Sequence, residues 1–100
     1  MNRVRQRDVV TITSDGIIRC NAHLAKKLKV YNAVSYEYRG GDIYIKCFNE
    51  GGDYKITRRN GYGNAITMGA KAFLAEVGWT IGVIKQFDAE YADGVIKFNI

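Results

Sequence analysis

Polar and apolar residues alternate in several short blocks, and two of these blocks flank helix-like stripes. Val9-Val10-Thr11-Ile12-Thr13 alternates as a strand does, with Val10 and Ile12 on one face and Thr11 and Thr13 on the other. Ser14-Asp15-Gly16 predicts a turn, and Ile17-Ile18-Arg19-Cys20 a return strand with Ile18 and Cys20 inward. Asn21 is a helix-capping residue, and residues 22–29 place Leu24, Ala25 and Leu28 on one stripe with Lys26, Lys27 and Lys29 outside it. A hairpin follows, Ala33 to Tyr38 and Ile43 to Phe48 about Arg39-Gly40-Gly41-Asp42. The order then recurs. Tyr54 to Arg58 predicts a strand, 60–64 a glycine-rich turn, 65–68 a return strand and 69–77 a helix. Ala72, Phe73, Ala75 and Val77 are that helix's packing candidates and Gly78 its stop. Val83 to Ala89 and Val95 to Ile100 predict a last hairpin about Tyr91-Ala92-Asp93-Gly94.

The chain is therefore a tandem repeat of β-β-α-β-β. Leu24-Ala25-Lys26-Lys27-Leu28 corresponds to Phe73-Leu74-Ala75-Glu76-Val77 at an offset of 49, and the closing strands correspond at 51. Half of a 100-residue chain rarely buries a sufficient core alone, so the two copies are expected to fold together. The predicted class is β-rich α+β. It is organised as a basic arm (1–8), a first repeat (9–48), a linker (49–53) and a second repeat (54–100).

Composition narrows the function. The net charge of +5 is uneven: residues 1–59 hold twelve Lys/Arg against six Asp/Glu, and residues 60–100 hold three against four. A basic half beside a near-neutral one points to an anionic partner. No apolar run approaches the length of a membrane span and no signal-peptide pattern follows the charged start, so a cytoplasmic protein is expected. Cys20 and Cys47 lack CxxC spacing and predict buried free thiols. The single histidine, His23, has neither a nucleophile nor a metal-ligand partner at a telling spacing. No P-loop lysine follows Gly61-Tyr62-Gly63. A non-enzymatic protein without metal or cofactor is the expectation.

The strand, Asp-Gly turn, Ile17-Ile18-Arg19, short helix and Ile-x-Ile-Lys hairpin of the first copy resemble the swapped-hairpin unit of AbrB-type regulators. Arg58-Arg59-Asn60-Gly61-Tyr62-Gly63-Asn64-Ala65-Ile66-Thr67 resembles the related MazE pattern. The tandem arrangement is similar to that of MraZ-type relatives. The resemblance implies that two swapped-hairpin units interleave into one β-barrel-like pseudo-dimer, formed by one chain or by exchange between two. It also implies a transcriptional regulator or nucleoid-type protein that contacts duplex DNA. The candidate DNA-binding residues are Arg3, Arg5 and Arg7 on the arm, Arg19, Asn21, Lys26 and Lys27 at the first strand-to-helix junction, and Lys55, Arg58 and Arg59 before the second turn. The chain departs from the family pattern in having no proline, with Cys20-Asn21 and Met68-Gly69 where relatives carry Ile-Pro. The competing expectation is a protein-binding module using Tyr36, Tyr38, Tyr44, Tyr54, Tyr62, Trp79 and Phe87, residue types suited to interfaces.

Overall fold

A computed structural model describes residues 7–58 and 65–100. The elements are β1 (Val9–Ile12), β2 (Ile17–Cys20), α1 (Ala22–Lys27), β3 (Ala33–Arg39), β4 (Asp42–Phe48), β5 (Tyr54–Arg58), β6 (Ile66–Gly69), α2 (Lys71–Glu76), β7 (Lys85–Asp88), β8 (Glu90–Ala92) and β9 (Val95–Asn99). The strands form one antiparallel, nearly closed barrel in the order β7-β1-β2-β6-β5-β3-β4-β9-β8, with two short helices. Closure depends on the second half's long hairpin arm. β7 pairs with β1, the chain bends at Ala89, and β8 pairs with β9 on its other edge. The Ala89 N–H donates to the Asp8 carbonyl at the bend, 3.0 Å away. The arm read as one strand from Val83 to Ala89 holds only β7, with Val83 and Ile84 outside it, and β8 runs into Tyr91 and Ala92, which the sequence assigns to the turn.

The pairings cross the two halves. β3 of the first half pairs with β5 of the second, and β7 of the second pairs with β1 of the first. Corresponding strands meet one another: β2 lies beside β6, with Arg19 opposite Thr67, and β4 lies beside β9, with Ile45 opposite Ile96. The linker between the halves turns on Gly51 and Gly52, both at positive φ. A Cβ at Gly52 would lie 2.8 Å from the Ala33 side chain, so only glycine fits there.

One core fills the barrel, built from the inward positions of both halves: Val10, Ile12, Ile18, Cys20, Val34, Ile43, Ile45, Ile56, Ile66, Met68, Ile96 and Phe98. The helices lie at opposite ends of the β2–β6 pair. α1 sits over the end carrying Cys20 and Ile66 and contributes Leu24 and Ala25, with Leu28 just beyond it. α2 sits over the other end, where the Ala70 N–H donates to the Gly16 carbonyl. In α2 the buried side chain is Leu74. Phe73 and Val77 are half-buried, and Ala72 and Ala75 face solvent. The stripe read from the sequence was thus displaced, because a two-turn helix contacts the barrel at only one or two positions. Both cysteines are free and buried.

Candidate functional site

The outer face of β7-β1-β2-β6-β5 follows from register. Gln86 pairs with Thr11, Thr11 with Arg19, Arg19 with Thr67 and Thr67 with Thr57, so these five side chains form one row across five strands. Their neighbours along β1, β2 and β6 point into the core, as alternation requires, as do Phe87 and Ile56, whereas Lys85 and Arg58 at the sheet's ends are exposed. Four of the five, Gln86, Thr11, Arg19 and Thr67, line a groove of about 730 Å³ together with Thr13, Asp15, Ile17, Asn21 and Ala65. Arg19 is exposed at its centre, whereas Thr11 is only 4% exposed. The groove thus offers one guanidinium and one carboxylate, Asp15, which accepts from Thr13 Oγ1 at 2.8 Å, among hydroxyl and amide groups.

Asn21 is engaged in the fold. Its side-chain oxygen accepts from the Leu24 N–H (3.1 Å), capping α1, and from the Val9 N–H (3.2 Å). Its amide donates to the Arg7 carbonyl (2.7 Å). Sequence reasoning identified the cap; the anchoring of the arm joins residues twelve and more positions apart, which no local pattern reveals. Asp8 does related work. One carboxylate oxygen lies 2.7 Å from Nδ1 of His23, and the other accepts from Nζ of Lys27 at 2.7 Å. Lys27 is thereby paired, and His23, which the sequence left without a partner, has one. Arg7 lies 3.2 Å from Asp88 with both side chains exposed.

Arg58 lies in a different environment from the one expected of a free strand-end cation. By register it continues an inward row, Phe87-Val10-Cys20-Ile66-Arg58, at the α1 end of the barrel. Its Nη2 donates to the carbonyls of Leu28 (2.8 Å) and Tyr31 (2.7 Å), with the Lys29 carbonyl at 3.4 Å. These carbonyls lie just past the end of α1, where that of Leu28 also accepts from the Tyr31 N–H at 3.1 Å, and a guanidinium can bridge several of them at once. Lys26 and Lys55 are exposed. The candidates Arg3, Arg5 and Arg59 lie outside the described residues.

Ion pairing divides the cations. Arg7, Lys27, Arg39, Lys46 and Lys97 each have a carboxylate partner. Among the described residues, which include all ten Asp and Glu, no ion pair joins a carboxylate to Arg19, Lys26, Lys29, Lys55, Arg58, Lys71 or Lys85.

The aromatic residues divide as well. Tyr36, Tyr54, Trp79 and Phe87 pack against the core. Tyr36 lies 4.9 Å from Tyr54 and 5.0 Å from Phe73, ring centre to ring centre, and its hydroxyl donates to the Gly69 carbonyl at 2.7 Å. Burial pushes its phenol far above the usual value. Tyr44 lies beneath the Arg39 guanidinium, Tyr38 is exposed, and Tyr62 is outside the described residues. The apolar exposure that the sequence does not single out lies at Ile81, Val83 and Ile84, and at Val30 and Phe48. Among the described residues no cluster of His, Cys, Asp and Glu has a metal-binding arrangement, and no helix is long and apolar enough to cross a membrane. Among known proteins, no family model matches this chain, no curated protein matches it and no solved structure matches it.

Proposed function

We propose that this chain is a non-catalytic DNA-binding protein of the AbrB/MazE class, a regulator or nucleoid-type protein. In this reading its two repeats are swapped-hairpin units interleaved as a pseudo-dimer within one polypeptide. The pairing of β3 with β5 and of β7 with β1 supports that reading of the fold. The observation that carries the function is the row Gln86-Thr11-Arg19-Thr67-Thr57, a polar surface five strands wide with an arginine at its centre and no carboxylate paired to it. Such a surface contacts duplex backbone through charge and hydroxyl groups, and its affinity falls steeply with salt because bound cations are released. The test is fluorescence anisotropy against a labelled random duplex at low and near-physiological salt. Binding that weakens with salt, and weakens further in Arg19→Gln, is expected. Absence of binding at low salt defeats the proposal.

A second reading, a protein-binding module, is favoured by one feature: the exposed apolar run at Ile81, Val83 and Ile84, which are 37%, 54% and 64% exposed. A protein partner would bury that run. If duplex binding fails, co-purification of a partner that is lost on Val83→Ser with Ile84→Ser would support this reading.

A further inference from the structure

The two ends of the barrel are built from the same elements and carry different charge. The inward row at the α1 end is Phe87-Val10-Cys20-Ile66-Arg58, and that at the α2 end is Lys85-Ile12-Ile18-Met68-Ile56. Val10 stands to Cys20 and Ile66 as Ile56 stands to Met68 and Ile18. Arg58 and Ile12 therefore hold corresponding places, one a guanidinium and the other a fully buried isoleucine. Arg58 reaches out of the second half to the carbonyls that follow the first half's helix, and so comes beside Lys29, whose own carbonyl it approaches at 3.4 Å. Lys26 is exposed in the last turn of the same helix. Lys26, Lys29 and Arg58 thus share one end of the molecule, and no carboxylate pairs with any of them; the nearby Asp8 is taken up by His23 and Lys27. Among the described residues the α2 end also has two exposed lysines, Lys71 and Lys85, but it holds carboxylates beside them. These are Glu76 on the helix and Asp15 next to Gly16, which lies against Lys71. Between Lys71 and Glu76 the helix carries solvent-facing alanines.

We infer that nucleic acid is held from one side: the α1 end, through Lys26 and Lys29 beside Arg58, grips the phosphates of a single strand segment. This rests on the DNA-binding proposal and sharpens it. A protein with two equivalent halves is expected to favour two-fold symmetric sites. One with a single cationic end engages one unsymmetric stretch of backbone per chain, with little regard for sequence. The phosphate contacts that set the salt dependence are then concentrated away from the centre of the sheet.

The test compares three proteins against the same random duplex: the unaltered chain, Lys26→Gln/Lys29→Gln, and the charge-matched control Lys71→Gln/Lys85→Gln. Both pairs are exposed, so folding is preserved in each, which circular dichroism checks. Loss of two phosphate contacts lowers the slope of log K against log salt by about 2 and affinity by on the order of ten-fold or more. That result is expected for the α1 pair, and near-unaltered binding for the control. Equal losses in both pairs would mean that net charge alone matters, and would overturn the inference. Full affinity in the α1 pair, with loss in Arg19→Gln, would overturn it and leave the DNA-binding proposal standing. If the unaltered chain binds no duplex at low salt, both fall.

Discussion

The two helices have the same length and place in the repeat, yet they are secured by different means. α1 is held at both ends by polar groups from elsewhere in the chain. Asn21 caps its start and ties in the arm, Asp8 bridges His23 and Lys27, and Arg58 gathers the carbonyls beyond its end. α2 has no side-chain cap. Its N-terminal flank is the fully buried Ala70, and its stop is Gly78 at positive φ. α1 and its following turn bury Leu24, Ala25 and Leu28, whereas α2 itself buries only Leu74. A repeated fold does not need a repeated set of anchors: one end here is secured by a polar network and the other chiefly by apolar packing of Leu74 and Phe73.

The contrast is broken most severely at Leu74. Truncation to alanine removes α2's only fully buried side chain and should cost about 2–5 kcal/mol, read as a lower urea midpoint. At the α1 end the corresponding test is Arg58→Met, which keeps the length of the side chain and removes its donors. It should cost about 1–3 kcal/mol, the worth of charged hydrogen bonds to the Leu28 and Tyr31 carbonyls. Amide exchange across residues 28–32 should quicken in this variant while α2 is unaffected. An undiminished urea midpoint would mean that water serves those carbonyls equally well.

Helix starts sharpen the comparison with opposite signs. Asn21→Ala should destabilise by about 1–2 kcal/mol, since a cap and an anchor for Val9 and Arg7 disappear together. Ala70→Asn, by the same rule a stabilising change, should instead destabilise by about 1–3 kcal/mol. Ala70 is fully buried with ψ of 12°, outside the extended geometry of a capping residue, so the added amide must enter filled space. Stabilisation by Ala70→Asn would show that the α2 end can relax to accept a cap.

These contrasts also mark what could be read from the chain alone. Strand faces were legible because alternation is local: Val10, Ile12, Ile18 and Cys20 lie inward and Arg19 outward, as their pattern predicts. The cap at Asn21 and the turns at Gly16 and Asp93-Gly94 were legible for the same reason. The break at Ala89 was not, because it answers to two partner strands, β1 and β9, that the arm's own residues do not name. The sequence does not set Leu74 apart from Phe73 and the alanines, since two helical turns carry too few positions to define a stripe. The engagement of Arg58 was hidden because its acceptors lie twenty-seven to thirty residues away, in a loop with no distinctive pattern. Of the candidate site, the row through Arg19 followed from strand parity in part, but its width of five strands needed the register between the halves.

The smallest effect concerns the thiols, both of which belong to the first half. By register Cys20 corresponds to Met68, and by the repeat Cys47 corresponds to Phe98. Burial pushes both thiols up, Cys47 from 9.0 to about 11 and Cys20 further still. In the unfolded chain each ionises near 9, so above that pH the unfolded state has lost protons that the folded state keeps. Stability present in full below pH 9 is therefore lost as the pH rises through the folded values, for Cys47 between about 9 and 11. Urea midpoints measured under reducing conditions should fall across that window, and Cys47→Val should flatten part of the fall. Phe98→Leu, the same position in the other half, should leave the pH slope unchanged while lowering the midpoint at every pH. An unaltered slope in Cys47→Val would assign the alkaline loss to other groups, the buried phenol of Tyr36 first among them.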